Sequence, residues 1–251
     1  LIGKIQLKNL LMSMIAANIS NIEFRKVVNV VKKIKPVAGR FEKIGKIKNN
    51  SIVILDYAHT PDALKICLQN IKDQFQNRKI SLVFGCGGER DKKKRPMMGK
   101  IANNYCDKIY LTDDNPRNEN PEKIRANIKR KIKRLKLFEI SNREIAIKRS
   151  IENLSTGEIL VVAGKGHEKV QDYGKYKNFF SDKYCILKYI KIKNKQLNKD
   201  LKFNIINDIR KNKKISFKGK IRNASINSKE IKKNDIFFAI KGKNKDGNKF
   251  I

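Results

Sequence analysis

Residues 52–71 read IVILDYAHTPDALKICLQNI, and this run decides the fold. Its first five residues are nearly all apolar, the length and composition of a strand buried on both faces of a parallel sheet. Thr60 follows at the N-cap position of a helix, with Pro61 in the first turn, where a missing N–H costs nothing. Ala63, Leu64, Cys67, Leu68 and Ile71 then recur at helical spacing and predict one buried stripe. A strand followed at once by an amphipathic helix is the repeating element of a parallel α/β sheet.

Outward from this run the same unit recurs. Strands are expected at 80–84 (ISLVF), 108–112 (KIYLT), 137–140 (LFEI) and 158–162 (EILVV). Between and after them come helices from about Pro96 to Tyr105, from near Pro121, from Arg143 to Leu154 and from Asp182 to Ile192. The alternation implies an α/β fold, a Rossmann-like mostly parallel sheet flanked by helices. Right-handed crossovers then place the loops after 56, 84, 112 and 162 along one sheet edge, where ligands bind in folds of this kind.

Upstream, Leu7 to Ile19 and Phe24 to Ile34 carry apolar residues at helical spacing, with Ser20-Asn21 between them as a cap for the second helix. Pro36 and Gly39 punctuate before the first strand. From about Lys195 a very polar run precedes a differently patterned tail that contains Ser225-Ile-Asn-Ser-Lys229 and a strand-like Ile236 to Ile240. The expected division is therefore 1–36, 37–195 and 196–251, the last a small α/β fragment.

A chain of 251 residues that is 40% hydrophobic can bury a sizeable core. No apolar stretch approaches the roughly 18 residues that span a bilayer, and no signal-peptide pattern opens the chain, so no membrane role and a cytoplasmic location are expected. The four cysteines are scattered singly, which argues against a zinc site or a disulfide framework. The net charge of +35, from 59 basic and 24 acidic residues, would ordinarily point to nucleic acid. Here lysine alternates with Ile and Asn through almost every segment, without arginine tracts or interleaved aromatics, so the excess reads as compositional background and no specific nucleic-acid partner is expected.

Three motifs lie just past strands. In DYAHTPD (56–62) a carboxylate and an imidazole, Asp56 and His59, are expected to share one loop mouth. GCGGERDKKKR (85–95) is a glycine-rich basic loop in which Arg90 and Arg95 offer forked donors for carboxylate or phosphate. DDNPR (113–117) sets an amide and a guanidinium either side of a rigid proline, and GKGHE (164–168) adds a carboxylate beyond a tight loop. The last two suit a zwitterionic amino-acid group, with Asn115 and Arg117 for carboxylate and Glu168 for ammonium.

With Asn9 in an Asn-Leu-Leu helix start, GRFE at 39–42, DYAHTPDAL at 56–64, FGCGGERDKKKRPMMG at 84–99, TDDNPR at 112–117 and AGKGHE at 163–168, residues 1–193 resemble the C-terminal part of a Mur ligase of the MurE type. The resemblance implies ATP-dependent addition of meso-diaminopimelate to UDP-N-acetylmuramoyl-L-alanyl-D-glutamate through an acyl phosphate, with Mg2+ on the phosphates, in peptidoglycan synthesis. It also implies an ATP site at Asn9, Arg40, Asp56 and His59, and an amino-acid site at Arg90, Asn115, Arg117, Gly164 and Glu168. The Asp-Asn-Pro-Arg form is the one associated with diaminopimelate in place of L-lysine. Residues 1–36 would be the end of the central, ATP-binding domain and 37–195 the C-terminal domain.

No G-x-x-x-x-G-K-[ST] phosphate loop occurs in the chain, and Gln6 stands where the family usually has a second asparagine. The chain opens on Leu1 and closes on Ile251 straight after a turn-like stretch, so a larger parent is expected, with catalytic and metal-binding residues in a central domain and no turnover by this chain alone. The tail resembles the start of a MurF-like N-terminal domain, with Asn227 and Lys229 in place of an acid and an arginine, which implies a fusion of two ligases. A lysine-adding Mur ligase, a folylpolyglutamate-synthase-like ligase and a basic nucleic-acid-binding module are the rival readings.

Overall fold

Burial and backbone pairing account for each element in turn, in a computed structural model that describes residues 4–133, 136–212, 223–225 and 235–237. The chain divides into two units, residues 1–194 and 195–251. In the first, helices α1 (Lys4–Ile19) and α2 (Phe24–Val31) precede strands β1 (Glu42–Lys46) and β2 (Ile52–Asp56). Then follow α3 (Pro61–Gln74), β3 (Ile80–Phe84), α4 (Lys94–Tyr105), β4 (Lys108–Leu111), α5 (Pro121–Lys129), β5 (Leu137–Glu139), α6 (Arg143–Glu152), β6 (Ile159–Ala163), β7 (Val170–Asp172), β8 (Lys177–Phe179) and α7 (Asp182–Asn212), whose residues from Lys195 on belong to the second unit.

Six strands form one sheet in the order β1-β2-β6-β3-β4-β5. All pairs are parallel except the edge pair β1–β2. With β6 inserted between β2 and β3, the loops after Asp56, Phe84, Leu111 and Ala163 open along one edge. The expected α/β fold with a mostly parallel sheet is what forms. The apolar runs work as buried strands: Val53 to Leu55, Leu82 to Phe84 and Ile159 to Ala163 are all fully buried. Alternate side chains serve the two faces. Ile54, Leu82, Phe84, Ile109 and Val161 pack with Leu64 and Leu68 of α3, Met98 of α4 and Ile124 of α5.

Helix starts follow the capping residues. The Thr60 hydroxyl accepts from Ala63 N (3.3 Å), and Asn120 Oδ1 accepts from Glu122 N and Lys123 N just before Pro121. Ser20-Asn21 is corrected: the N-cap of α2 is Glu23, without a side-chain bond, and Asn21 sits at φ 62° in the turn closing α1, where a short polar side chain tolerates that backbone. Helix α4 starts two residues before Pro96, which fits a proline in the first turn. Helix α7 continues well past the expected end at Ile192. Its Lys, Gln and Leu residues favour helix, and no Gly or Pro interrupts them.

Strand β1 and the β7–β8 hairpin were not expected. They are largely polar, with Glu42, Lys43, Gln171, Asp172 and Lys177; β1 is an edge strand and β7–β8 a separate two-stranded sheet, and apolar periodicity is weak in both. In the second unit β9 (Asn223–Ser225) and β10 (Asp235–Phe237) pair in parallel. The MurF-like features at Asn227 and Lys229 lie outside the described residues. Among the described residues no helix is long and apolar enough to cross a membrane.

Candidate functional site

Two cavities open at the carboxyl edge of the sheet. The first, of about 470 Å³, is lined by Gln6, Asn9, Val37, Arg40, Phe41, Asp56, Ala63, Ile66, Cys67 and Asn70. The second, of about 520 Å³, takes in Tyr57, His59, Arg90, Lys94, Asp114, Asn115, Arg117, Gly164 and Glu168 among its walls. Asn9, Arg40 and Asp56 thus come together in the first cavity, and Arg90, Asn115, Arg117, Gly164 and Glu168 in the second.

His59 does not share a mouth with Asp56; it faces the second cavity. The chain leaves β2 at Asp56, and Tyr57 lines the second cavity beside His59 while packing against Arg40 of the first. Its ring packs edge-on to His59 (4.6 Å between centroids), and the Arg40 guanidinium lies 4.5 Å over its face. Both oxygens of Asp56 are taken by backbone, from Phe41 N (2.6 Å) and Ala58 N (2.7 Å). Burial nonetheless outweighs those two bonds and the nearby Arg40, and pushes the Asp56 carboxyl above its ordinary range. Asp56 therefore staples the 39–41 turn to the end of β2 while lining the cavity. The turn is pressed against the 164–168 loop so closely that a Cβ on Gly39 would stand 2.3 Å from His167 N.

Arg95 is a second correction. Because α4 begins at Lys94, the Arg95 side chain points beneath the loop and is 1% exposed, with Nη2 bonded to Glu119 Oε1 (2.9 Å) and Gly87 O (3.3 Å). It holds the loop and does not face a ligand. Lys94 takes the cavity side, its ammonium donating to His59 O (3.0 Å). The second cavity mixes cations (Arg90, Lys94, Arg117) with carboxylates (Asp62, Asp91, Asp114, Glu168). That mixture suits a zwitterion better than the simple anion expected from the basic loop.

Two motifs distant in sequence meet here. Asn115 Nδ2 donates to Glu168 Oε2 (3.0 Å), and Arg117, which lines the cavity, donates from Nη1 to Gly88 O (2.7 Å). Gly164, at φ 112°, passes so near Asp114 that a Cβ would lie 2.5 Å from Asp114 Oδ2. Glu168 feels two opposed effects. Burial pushes its carboxyl up, but the bond and charge of Lys165, then Asn115 and Tyr57, win and hold it below the ordinary glutamate range.

Several supporting residues were missed by sequence reasoning. Strand β7 clamps the 113–117 loop, with Gln171 Nε2 donating to Asp114 O (2.8 Å), Asp172 N to Asn115 Oδ1 (3.0 Å) and Arg117 N to Asp172 O (3.0 Å). Buried Arg143 grips Asp182 with a two-pronged bond (2.8 and 2.7 Å) and Ala163 O (2.9 Å), and its Nη1 lies 3.9 Å from Asp114 Oδ2. Lys165 is fully buried beneath Asn115 and Glu168. The sign available in sequence was a lysine between two glycines with an acid three residues on, a spacing that lets the backbone turn the lysine inward.

Residues 39–166, half of the chain and most of the two cavity walls, match the family described as Mur ligase, glutamate ligase domain. The chain belongs to the Mur ligase family. Among its relatives is the UDP-N-acetylmuramoyl-L-alanyl-D-glutamate–2,6-diaminopimelate ligase of Rickettsia felis, 42% identical over 196 residues, covering 78% of this chain and 36% of the relative. The protein of the same name from Rickettsia rickettsii is 45% identical over 193 residues, 76% of this chain and 40% of the relative. A solved structure of a ligase with this name aligns with a TM-score of 0.60 at 36% identity, covering 76% of this chain and 39% of that one. The chain thus spans roughly two fifths of the length of the Mur ligases it matches.

Proposed function

We propose that the second cavity is the amino-acid site of a peptidoglycan-forming Mur ligase and that its amino acid is meso-diaminopimelate. The observation that carries this reading is the convergence of Asn115, Arg117, Arg90 and Glu168 on one cavity of mixed charge. Arg117 and the remaining Asn115 N–H are donors for a carboxylate, and Glu168 and Asp114 are acceptors for the ammonium beside it. L-lysine lacks that second carboxylate and would leave the remaining Asn115 N–H and the Arg117 charge without a ligand partner, so the site discriminates by the contacts lysine cannot make. The diaminopimelate-ligase names of the relatives support the same substrate.

The first cavity is proposed as the nucleoside end of an ATP site. Its residues fit that group: Val37, Phe41, Ala63, Ile66 and Cys67 offer apolar walls for a purine, while Gln6, Asn9 and Asn70 offer amides for its polar edge. When bound, ATP activates the carboxylate of the UDP-N-acetylmuramoyl-dipeptide toward amide formation. This chain then does two things: it anchors the nucleoside at Arg40 and Asn9, and it presents the diamino acid from across Tyr57. Among the described residues no group of three or more His, Cys, Asp or Glu side chains could hold a metal ion. We further propose that residues 1–36 close a central ATP-binding domain and that 196–251 open a MurF-like domain, which would join two ligases in one protein.

Amide-resolved NMR titrations test the two-cavity arrangement. A non-hydrolysable ATP analogue is expected to shift resonances at 9, 40, 41 and 67, and meso-diaminopimelate those at 87–90, 115–117 and 164–168. Overlapping shifts, or none with diaminopimelate, would refute it.

A further inference from the structure

Lys165 is 0% exposed, an unusual place for a lysine. Its ammonium has three protons and three acceptors: Asn115 Oδ1 at 2.9 Å, Glu168 Oε2 at 3.0 Å and Val170 O at 2.6 Å. Asn115 Oδ1 also accepts from Asp172 N (3.0 Å), so two donors converge on it. Rotating the amide by half a turn would set its NH2 group against an ammonium and a backbone N–H, donor against donor. Its orientation is thereby fixed, with NH2 toward Glu168 and the cavity.

We infer that Lys165 is a positioning residue for the amino-acid site: its buried ammonium fixes the Asn115 amide as a donor toward ligand carboxylate and ties Glu168 in place as the acceptor for ligand ammonium. The inference rests on the amino-acid reading of the second cavity. One cation thus sets the polarity of both halves of the site without touching the ligand. It also ties β7 to the loop through Val170 O, so the clamp on residues 113–117 and the orientation of Asn115 are set together. A buried charge left with one partner removed is costly, which explains why all three protons are committed.

The test uses the 251-residue chain, labelled with 15N and 13C. In the unaltered protein the Lys165 ammonium, sealed from water and bonded on every proton, is expected to give a slowly exchanging 1H–15N signal near neutral pH. Absence of that signal would overturn the inference, and this arm stands even if the variant does not fold. In Lys165→Met the Glu168 carboxyl carbon is expected to titrate at higher pH than in the unaltered protein. Calorimetry should show affinity for meso-diaminopimelate reduced roughly tenfold or more, the cost of hydrogen bonds to charged groups left unmade. Lys108→Met, which breaks an ion pair with Glu158 at the start of β4, should change neither readout. If folded Lys165→Met binds as tightly as the unaltered chain, the positioning role is wrong and the amino-acid site stands. If the unaltered chain binds no diaminopimelate, the site reading falls and this inference with it.

Discussion

Asn115 Nδ2 donates to Glu168 Oε2 at 3.0 Å, joining side chains 53 residues apart in the chain. The bond brings the ends of β4 and β6 together although β3 lies between those strands, and places an amide donor beside a carboxylate at one cavity wall. Because Lys165, Asn115 and Tyr57 together outweigh burial, Glu168 titrates below its ordinary value of 4.5. A carboxyl lowered on folding adds stability that is fully present above its unfolded value and is lost as pH falls through the folded one. Thermal melts should therefore show the unaltered chain more stable than Glu168→Gln above pH 4.5, with the difference shrinking at lower pH. A difference that grew on acidification would contradict this account of the carboxylate.

The buried Arg143–Asp182 pair joins α6 to the first turn of α7, and Arg143 also bonds Ala163 O at the end of β6. Removing the carboxylate strands a buried guanidinium. Asp182→Ala is expected to destabilise the fold by about 3 kcal/mol or more in urea denaturation, whereas replacing both partners with apolar residues should cost less.

Gly164 occupies φ 112°, and a Cβ there would collide with Asp114 Oδ2. Gly164→Ala should cost about 2 kcal/mol of stability, from backbone strain and the displaced carboxylate. It should also weaken diaminopimelate binding, because Asp114 lines the same cavity. Denaturation midpoints and calorimetry on the one variant check both effects.

Asp56 receives two backbone N–H groups that would otherwise be unpaired. Asp56→Ala is expected to lower stability by about 2 kcal/mol, net of the relief from burying a carboxyl. It should loosen the Gly39–Phe41 turn, visible as faster hydrogen exchange at the Phe41 and Ala58 amides, and weaken nucleotide binding more than diaminopimelate binding.

Much of the sheet was legible because IVILD, ISLVF and EILVV are apolar runs of strand length between capped helices, and burial on both faces needs no further signal. The gathering of the loops after Asp56, Phe84, Leu111 and Ala163 followed from parallel topology alone. What stayed hidden depends on side-chain direction and on polar groups that fold inward. His59 and Asp56 are three residues apart, yet the backbone after β2 turns them to different cavities. Arg95 looked like a ligand-binding cation because a basic loop reads as exposed, and only the early start of α4 sends it inward. Lys165 and Arg143 are buried charges, which composition assigns to the surface; their partners Glu168 and Asp182 become visible only in three dimensions. The β7–β8 hairpin that clamps the 113–117 loop is too short and polar to announce itself.

On the proposed function, the cavity holding Asn115, Arg117 and Glu168 recognises a diamino acid by its second carboxylate. Calorimetric titration of this chain with meso-diaminopimelate and with L-lysine, repeated on Arg117→Ala, tests it most directly. Diaminopimelate is expected to bind more tightly than lysine, and Arg117→Ala to lose roughly tenfold or more in diaminopimelate affinity with little change for lysine. Equal affinity for the two amino acids, or diaminopimelate binding untouched by Arg117→Ala, would contradict it.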